Sequence, residues 1–430
     1  MPLTYLKTAC TPTSEAAADI EDTVAIMLAR LRTGGAQTAL EYARTLDGWQ
    51  GDITVTRAQI TAACQRVPQA LKDDISWAHD NIAAFARAQR AAAHDMQAEL
   101  RPGLIAGQRH IPVNAAGCYV PGGRYSHIAS ALMSIATARA AGVPDITAVS
   151  PPNGAAGIPD AMLFAMDLAG ATRILTIGGV QGLAAMAFGL FGAPKADILV
   201  GPGNAYVAEA KRQLFGPIGI DMFAGPTDIL ILADETADAH TVATDLVAQA
   251  EHGANSPVWL ATTHQPLAEA VMAAIPALID DLPEPNRTAA LNAWRDLGEV
   301  VLCTTREDMA QFSDTRAAEH LHVMAADPTW WQDRLTAYGS LFLGADTTVS
   351  FGDKAAGPNH VLPTSGAARY TGGLSVHKFL KTVTWQRVDS PARDDLARVT
   401  ASISRAERME GHARSADLRR SFPASMTVNS

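Results

Sequence analysis

Residues 117–234 alternate between two kinds of sequence, and this alternation limits the folds that the chain can adopt. Short β-branched runs, which favour strands, are separated by alanine-rich stretches that favour helices. The candidate strands are residues 118–120, 146–149, 173–177, 197–200 and 229–232. The candidate helices between them are residues 129–141, 161–169 and 205–214. Strands that alternate with helices in this way predict an α/β fold with a parallel sheet covered on both faces.

The rest of the chain surrounds this alternating region with helices and more α/β sequence. Residues 15–110 predict helices, the last of which covers residues 75–101 and ends at Pro102-Gly103. A long helix begins near residue 240 and stops at Gly253, and another α/β stretch continues to about residue 380. The end of the chain predicts a helical tail, because arginines recur there at helical spacing: Arg393, Arg398, Arg405, Arg408 and Arg414.

Composition excludes several classes of protein. With 48% hydrophobic and 18% charged residues, the 430-residue chain is not mainly disordered. A net charge of −10 without a basic stripe argues against a nucleic-acid partner. No apolar run approaches the roughly 20 residues that cross a bilayer, and the N-terminus lacks the apolar core of a signal peptide. We therefore expect a cytoplasmic protein with no membrane partner. The four cysteines are far apart and indicate neither disulfides nor a thiolate zinc site.

Three of the expected strands run into a glycine turn before the next helix. Glycines at such junctions let the backbone approach a ligand and present helix N-terminal amides to an anion. None completes GxGxxG, and each alone is equally an ordinary tight turn, but three at one sheet edge favour a nucleotide site. Gln181 and Asn204 stand where side-chain amides could hydrogen-bond that ligand. The junctions are Val120-Pro121-Gly122-Gly123, Ile177-Gly178-Gly179 and Val200-Gly201-Pro202-Gly203-Asn204.

Gln249 and His252 are three residues apart at the end of a predicted helix, so both project from one face. Zinc accepts imidazole nitrogen and, less often, amide oxygen. The pair could therefore supply two zinc ligands. The alternative is a structural histidine near a helix end, which explains most occurrences of this spacing.

Glu319 and His320 place an acid and an imidazole side by side. Adjacent residues do not share a helix face, so both can serve one site only on a turn or an extended segment. There, one could act as a general base towards substrate and the other towards water. The alternative is a solvated charged pair.

The remaining candidates lie in a C-terminal loop, in the tail and in a strand. Asp353 precedes the loop Gly357-Pro358-Asn359-His360, where a carboxylate could reach a metal. Glu407 and His412 belong to the arginine-bearing tail, whose default role is a solvated surface or a dimer contact. A nucleophilic Cys118 would permit aldehyde oxidation through a thioester, but its place in an apolar strand indicates an inert buried thiol.

The order and spacing of these elements resemble the histidinol dehydrogenase family over residues 15–420. Several of the matching segments are strings of four or more residues, which makes the resemblance specific. The segments are Gly117-Cys-Tyr-Val-Pro-Gly-Gly123, Gly201-Pro-Gly-Asn-Ala205, Ala224-Gly-Pro-Thr227, Ala248-Gln-Ala-Glu-His252, Ala318-Glu-His-Leu321, Gly357-Pro-Asn-His-Val-Leu-Pro-Thr364, Gly373-Leu-Ser-Val376 and His412-Ala-Arg-Ser415.

The resemblance implies a zinc-bound, NAD-dependent homodimer that oxidises a primary alcohol through an aldehyde to a carboxylate, using two NAD. The matching zinc ligands are Gln249, His252, Asp353 and His412. The matching proton-transfer pair is Glu319 and His320, and the matching NAD contacts are Tyr119, Gln181 and Asn204. The matching substrate contacts are Thr227, where serine is usual, Glu407, His320 and the four zinc-binding side chains.

The resemblance also implies two incomplete Rossmann-like parallel-sheet domains, which agrees with the missing GxGxxG. A helical C-terminal tail would carry Glu407 and His412 into the active site of the partner subunit. The expected catalytic domain is residues 15–117 with 234–378. The expected NAD-binding domain is residues 118–233, and the expected dimerisation tail is residues 379–430 with 1–14.

Several departures from biosynthetic histidinol enzymes make the chain more similar to a catabolic branch, the sulfopropanediol 3-dehydrogenases. Residues 124–130 replace a stretch of small residues that contains proline, and the segment 321–324 lacks the acidic residue that is common there. That branch converts (R)-2,3-dihydroxypropane-1-sulfonate to (R)-3-sulfolactate, and the alternative is L-histidinol to L-histidine. A sulfonate requires Arg, His, Lys or backbone N–H donors, for which Arg124 and His127 are the candidates.

Two readings of another kind stay open. The chain could be a zinc-binding dimer that has lost catalysis, although the full set of ligand positions and the Glu-His pair argue against this. It could also be an alcohol dehydrogenase that releases the aldehyde after one oxidation. The number of NADH formed per alcohol separates the second reading from the family reaction.

Overall fold

The computed structural model describes residues 3–10, 17–122, 126–222 and 225–420. These residues form two compact units. The first unit draws on Met1–Arg90 and Val113–Phe379, and the second on Ala91–Pro112 and Leu380–Ser430. None of the helices in the described ranges is long and apolar enough to span a membrane.

The strands of the described residues are short, and most have fewer than seven residues. In chain order they are β1 (Leu3–Lys7), β2 (Met96–Arg101), β3 (Leu104–Pro112), β4 (Ala115–Tyr119), β5 (Asp145–Ser150), β6 (Arg173–Thr176), β7 (Ile198–Val200), β8 (Gly219–Ile220), β9 (Ile229–Ala233), β10 (Val258–Thr262), β11 (Glu299–Cys303), β12 (His320–Met324), β13 (Ser340–Leu343) and β14 (Leu380–Val388).

The helices cover the sheets and connect their strands. In chain order they are α1 (Ala17–Leu46), α2 (Arg57–Arg66), α3 (Gln69–Ala92), α4 (Ile128–Ala141), α5 (Asp160–Ala169), α6 (Gly179–Phe188), α7 (Ala205–Leu214), α8 (Ala239–Ala250), α9 (Gln265–Asp280), α10 (Asn286–Leu297), α11 (Arg306–Arg316), α12 (Pro328–Arg334), α13 (Val349–Lys354), α14 (Ser390–Ala406) and α15 (Glu410–Arg420).

The first unit contains a five-stranded parallel sheet with the order β6-β5-β4-β7-β8. Its central strands are continuous apolar runs because helices cover both faces. Helices α1, α6 and α7 supply one large apolar cluster on this sheet. The α/β fold predicted from the alternating sequence is confirmed for this part of the chain.

The same unit contains a six-stranded sheet with the order β1-β11-β10-β9-β12-β13. All neighbours are parallel except β1, which pairs antiparallel with β11. Strand β9 is fully buried at the centre of this sheet. The sequence predicts it instead as part of the NAD-binding domain, residues 118–233. Local texture predicts a buried strand but carries no information about which sheet receives it, because pairing partners are distant in the chain.

The N-terminal strand also differs from the expected division. Residues 1–14 were grouped with the tail, whereas β1 is an edge strand of the six-stranded sheet. Its placement depends on hydrogen bonds to β11, nearly 300 residues later in the chain. An edge strand of five residues has no local signal that identifies its partner.

The second unit contains the antiparallel sheet β14-β3-β2 together with α14 and α15. The predicted helix over residues 75–101 is wrong beyond Ala92, because β2 follows it and pairs with β3. Pro102-Gly103 is the turn of this hairpin rather than a helix stop, and Gly103 takes the positive φ (81°) that such a turn needs. The predicted helical tail is confirmed in α14 and α15, with β14 preceding them.

Candidate active site

The candidate catalytic residues lie where two neighbouring strands of the six-stranded sheet begin. Thr227 and Asp228 immediately precede β9, and Glu319 immediately precedes β12, whose first residue is His320. The two strands are paired in parallel with His320 opposite Ile229, so the four side chains meet at one edge. This is the amino-terminal edge of the sheet, whereas open α/β sheets usually bind ligands at the carboxyl ends of their strands.

The carboxylates of Asp228 and Glu319 each accept a hydrogen bond from the backbone N–H of the other residue. The Glu319 N–H donates to Asp228 Oδ1 at 2.7 Å, and the Asp228 N–H donates to Glu319 Oε2 at 3.1 Å. Burial raises the pKa of Glu319 to about 8. Burial, reinforced by the negative charge of Glu319, raises the pKa of Asp228 to about 7. Carboxyl groups with pKa values near neutrality can both accept and release protons at physiological pH.

His320 is 3% exposed, and backbone geometry assigns the roles of its two nitrogens. Nδ1 lies 2.8 Å from the carbonyl oxygen of Asp228, which can only accept, so Nδ1 donates. Nε2 is then the acceptor of the neutral imidazole. It is buried without a hydrogen-bond partner and lies 3.8 Å from Asp353 Oδ1. A buried orphan nitrogen of this kind is what a substrate hydroxyl could satisfy.

Three side chains beside His320 could hold a metal. Gln249, 2% exposed, donates from Nε2 to Thr227 Oγ1 at 2.7 Å, so its oxygen Oε1 is the atom suited to a cation. His252 Nε2 lies 3.9 Å from Asp353 Oδ2. Burial lowers the pKa of His252 and so favours the neutral imidazole that coordinates metals.

This donor set fits part of a zinc site. No group of three or more His, Cys, Asp and Glu side chains in the described ranges is arranged to hold a metal ion. The first unit therefore offers one imidazole, one carboxylate and one amide, which are nitrogen and oxygen donors that zinc accepts. A fourth donor would have to come from elsewhere.

The predicted fourth ligand, His412, belongs to the second unit. It lies in α15, and the predicted substrate contact Glu407 is the residue that ends α14. Both side chains are exposed in the single chain. Their roles in a partner subunit's site stay predictions.

The predicted NAD contacts Tyr119 and Gln181 lie at the carboxyl end of the strands of the five-stranded sheet. The Tyr119 hydroxyl accepts from the Gly179 N–H at 3.1 Å, and burial raises the pKa of Tyr119 to about 12. Gln181 Nε2 and the Gly178 N–H both donate to Asp47 Oδ2, each at 3.0 Å. Contrary to the expectation of free amides, the Asp47 carboxylate already occupies this helix N-terminus.

The third glycine junction is held by a buried ion pair that the sequence analysis did not identify. Asp221 accepts from the Gly201 N–H at 2.7 Å and pairs with Lys211, whose Nζ donates to the Gly201 oxygen at 3.1 Å. Gly201 has a φ of 116°, and an added Cβ would lie 2.0 Å from Tyr119 O. The predicted NAD contact Asn204 caps α7 by accepting from the Val207 N–H.

The first glycine junction is described only in part. Arg124, one of the two candidates for binding a sulfonate, lies outside the described residues together with Gly123. The other candidate, His127, is the residue that precedes α4. Burial and the nearby His360, Lys354 and His252 lower the pKa of His127 to about 4, which places it close to the candidate metal ligands.

Sequence reasoning did not select His360, although the loop that contains it was noted. Its Nδ1 lies 2.8 Å from Asp353 O, and its Nε2 lies 3.1 Å from Ser130 Oγ in the first turn of α4. His360 therefore links the end of α13 to the start of α4. Cys118, in contrast, is fully buried with its pKa raised to about 12 by desolvation, which confirms that it is an inert thiol.

Comparison with known proteins identifies the family. The sequence model of the family described as histidinol dehydrogenase matches residues 11–420. A "histidinol dehydrogenase homolog" of Ruegeria pomeroyi is 68% identical over 419 residues, covering 97% of both chains. A sulfopropanediol 3-dehydrogenase of the same strain is 59% identical over 419 residues, covering 97% of this chain and 96% of the relative.

Solved structures give the same answer for the fold. The crystal structure of histidinol dehydrogenase from Elizabethkingia anophelis superposes with a TM-score of 0.90 at 32% sequence identity. The superposition covers 95% of this chain and 94% of that one. The agreement extends over both parallel sheets and the C-terminal helices. With its sequence, fold and site in agreement, this chain belongs to the histidinol dehydrogenase family.

Proposed function

We propose that this protein is a zinc-dependent, NAD-linked dehydrogenase that oxidises a primary alcohol through an aldehyde to a carboxylate. The observation that carries the proposal is the geometry of His320. Its Nδ1 donates to the Asp228 carbonyl oxygen. Its buried Nε2 has no hydrogen-bond partner and lies 3.8 Å from Asp353 Oδ1. Next to it stands a second buried group, Glu319, whose pKa of about 8 suits proton transfer.

In the first oxidation, His320 Nε2 accepts the hydroxyl proton of the alcohol as hydride leaves the same carbon for NAD. The alcohol thereby loses two electrons and becomes an aldehyde. An imidazole with an available lone pair is the natural acceptor near neutral pH. The Asp228 carbonyl keeps the required tautomer, because Nδ1–H has no other acceptor as close.

In the second oxidation, water must add to the aldehyde before another hydride can leave. Glu319 takes the proton of that water, and the resulting hydrate gives hydride to a second NAD and becomes the carboxylate. The neighbouring Asp228 N–H and Thr227 hydroxyl hold the Glu319 carboxylate in place. The sum is four electrons and two NADH for each alcohol.

The residues that would hold zinc are Gln249, His252, Asp353 and, from the tail of a partner subunit, His412. Bound zinc supplies polarisation and orientation of the substrate oxygen. The hydrogen bond to Thr227 engages Nε2 of Gln249, so Oε1 is the atom that would bind the cation. His360, in the loop after α13, contacts the backbone carbonyl of Asp353 on that helix.

For the substrate we propose (R)-2,3-dihydroxypropane-1-sulfonate, with (R)-3-sulfolactate as the product. The 59% identical relative named sulfopropanediol 3-dehydrogenase supports this choice over L-histidinol. His127 and Lys354 lie near the candidate metal ligands and could donate hydrogen bonds to a sulfonate.

The test of function compares initial rates of NADH formation by the zinc-loaded protein on the sulfonate and on L-histidinol. A preference of about 100-fold for the sulfonate corresponds to roughly 2.7 kcal/mol of transition-state discrimination and supports the proposal. A preference for histidinol would make the biosynthetic reaction the function. One NADH per alcohol would indicate release of the aldehyde. Absence of turnover with or without chelator would indicate a binding protein.

The anion contact is tested separately by His127→Ala. Loss of a hydrogen bond to a charged group corresponds to roughly 10- to 100-fold in binding, so we expect KM for the sulfonate to rise by that order. KM for NAD should stay the same. An equal rise in both KM values would contradict a specific role for His127 in binding the sulfonate.

Shared active sites are tested in an assay of aldehyde oxidation by mixing two variants that are expected to lose that step, Glu319→Gln and His412→Ala. In a mixed dimer, one of the two sites combines an intact Glu319 with an intact His412 of the partner subunit. Random mixing should therefore restore about a quarter of wild-type activity. No recovery after verified subunit exchange would contradict a tail that completes the partner's site.

A further inference from the structure

A second acid–imidazole pair lies behind the candidate site and takes no part in the reaction described above. His322, on β12, has no exposed side-chain surface, and its Nδ1 lies 3.2 Å from Asp245 Oδ2 on α8. Its Nε2 lies 3.0 Å from the carbonyl oxygen of Gly344 and donates to it. Nδ1 makes no hydrogen bond, so its contact with the carboxylate is electrostatic.

Geometry assigns the roles of the two His322 nitrogens. Nε2 must carry a proton to donate to Gly344 O, which can only accept. Nδ1 faces the Asp245 carboxylate at 3.2 Å, so the two side chains are in direct contact inside the protein. Removal of either polar group would leave the other buried without this neighbour, which is destabilising.

The pair joins the elements that carry the candidate metal ligands. Asp245 lies one helical turn before Gln249 on α8, so the two side chains share a face. The other carboxylate oxygen, Asp245 Oδ1, accepts from Thr348 Oγ1 at 3.2 Å. Thr348 caps α13, the helix that contains Asp353.

The pair also reaches His320 through one aromatic ring. His320 and His322 project from the same face of β12 because they are two residues apart. The Phe342 ring, on β13, lies with its centroid 6.2 Å from each imidazole centroid. On its other side the ring abuts Gly352 of α13, where an added Cβ would lie 2.6 Å from Phe342 Cε1.

We propose that Asp245 and His322 are positioning residues that set the spacing among Gln249, Asp353 and His320. The inference rests on the proposed metal site. Side chains of this kind hold metal ligands in orientation, and their loss typically lowers metal affinity by roughly 10- to 100-fold. Neither residue touches the reacting atoms, so their effect is transmitted through α8, α13 and Phe342.

The test measures zinc affinity by competition with a chromophoric chelator, in full-length wild type, Asp245→Asn and His322→Gln. Each substitution keeps a hydrogen-bonding group and alters the contact between the two side chains. We expect zinc affinity to fall by roughly 10- to 100-fold in both, with kcat lowered and KM for NAD unchanged. The double variant should lose no more affinity than either single variant, because the two residues act as one unit.

The matched control is Asp221→Asn, which breaks the buried ion pair with Lys211 at the five-stranded sheet. We expect it to raise KM for NAD and to leave zinc affinity within about twofold of wild type. Thermal unfolding of the zinc-free proteins reports the loss of stability in each variant. Equal losses of zinc affinity in Asp221→Asn and Asp245→Asn would reduce the effect to general destabilisation and overturn the proposal.

Two further outcomes are distinct. Wild-type zinc affinity in a folded Asp245→Asn protein would overturn the positioning role while leaving the proposed function intact. A wild-type protein that binds no zinc would contradict the proposed function instead. In that case a lowered kcat with unchanged KM for NAD in His322→Gln would still support positioning of His320, and an unchanged kcat would overturn it.

Discussion

The two sheets of the first unit differ in the surroundings of their acidic side chains. At the five-stranded sheet, Asp221 pairs with Lys211 and accepts from the Gly201 N–H, and the half-buried Asp47 accepts from Gln181 and the Gly178 N–H. At the six-stranded sheet, Asp228 and Glu319 face each other, and burial raises the pKa of both.

Under the proposed function, the five-stranded sheet carries a binding edge and the six-stranded sheet a reacting edge. At the binding edge, the carboxylates of Asp47 and Asp221 hold the backbone of the glycine loops through hydrogen bonds. Crowded, desolvated carboxyl groups are poised to move protons near neutral pH, at a cost to stability. The proposed reacting edge is therefore distinguished by two neighbouring carboxyl groups whose pKa values are raised by burial.

The largest expected effect comes from Glu319→Gln at the reacting edge. Removal of a general base typically lowers a rate by roughly 10²- to 10⁴-fold, and we expect that loss in aldehyde oxidation. Alcohol oxidation, which depends on His320, should be partly retained. Single-turnover assays started from the alcohol and from the aldehyde measure the two steps.

The matched control for this prediction is Glu299→Gln, which removes a carboxylate paired with Arg316. It should lower stability without separating the two oxidations. Equal loss of both steps in Glu319→Gln would contradict the assigned division between Glu319 and His320.

The next largest effect is expected at the binding edge, for Gly201→Ala. The residue has a φ of 116°, and the new Cβ would collide with Tyr119 O. Backbone strain of this kind costs about 1–3 kcal/mol, so we expect a lower free energy of unfolding and a higher KM for NAD. Gly216→Ala is the control, because Gly216 has a similar φ of 111° with no neighbour within 4 Å of the added Cβ. If both variants raise KM for NAD equally, the close approach to Tyr119 is not the cause.

A further effect is expected in the pH dependence of stability of the zinc-free protein. The pKa of Glu319 rises from 4.5 to about 8, and that of Asp228 from 3.8 to about 7, so the folded state binds more protons than the unfolded state between these values. Their contribution is therefore fully present below about pH 4 and is lost as pH rises towards 8. Thermal unfolding from pH 5 to 9 should show this fall, and Glu319→Gln should flatten it. A stability that rises across this range in wild type and variant alike would contradict the raised pKa values.

The smallest effect is expected for Asp47→Asn, which removes a negative charge from the start of α6. Charges at a helix N-terminus contribute about 0.3–1 kcal/mol, and a neutral acceptor leaves the hydrogen bonds in place. We expect KM for NAD to fall by roughly two- to fivefold, because the cofactor is an anion. An increase in KM would show that the Asp47 carboxylate itself contacts the cofactor.

Much of the fold was predictable because its signals are local. Buried strands such as β5 and β6 are short β-branched runs, and helices such as α4 end where a glycine adopts a positive φ. The helix predicted through residue 101 failed because Met96–Arg101 contains good helix formers. Pairing with β3 determined its conformation, and that pairing lies outside any local window.

The site was predictable to a different degree. Family strings led to Glu319, His320, Gln249, His252 and Asp353, which the structure brings together. The same strings carry no signal for Asp47, Asp221 or the Asp245–His322 pair. Those acids are separated from their partners by 10 to 134 residues, and only folding brings them into contact.

The sequence was sufficient to identify the family and the α/β class and to name the groups that could transfer protons or bind zinc. These properties reside in residue types and in short spacings along one chain. Three features depend on the tertiary structure: the sheet to which β9 belongs, the N–H groups that donate to Asp47, and the nitrogen of His320 that has no hydrogen-bond partner. Each of these depends on burial and on contacts between distant residues, because desolvation and hydrogen-bond partners exist only once the chain has closed around them.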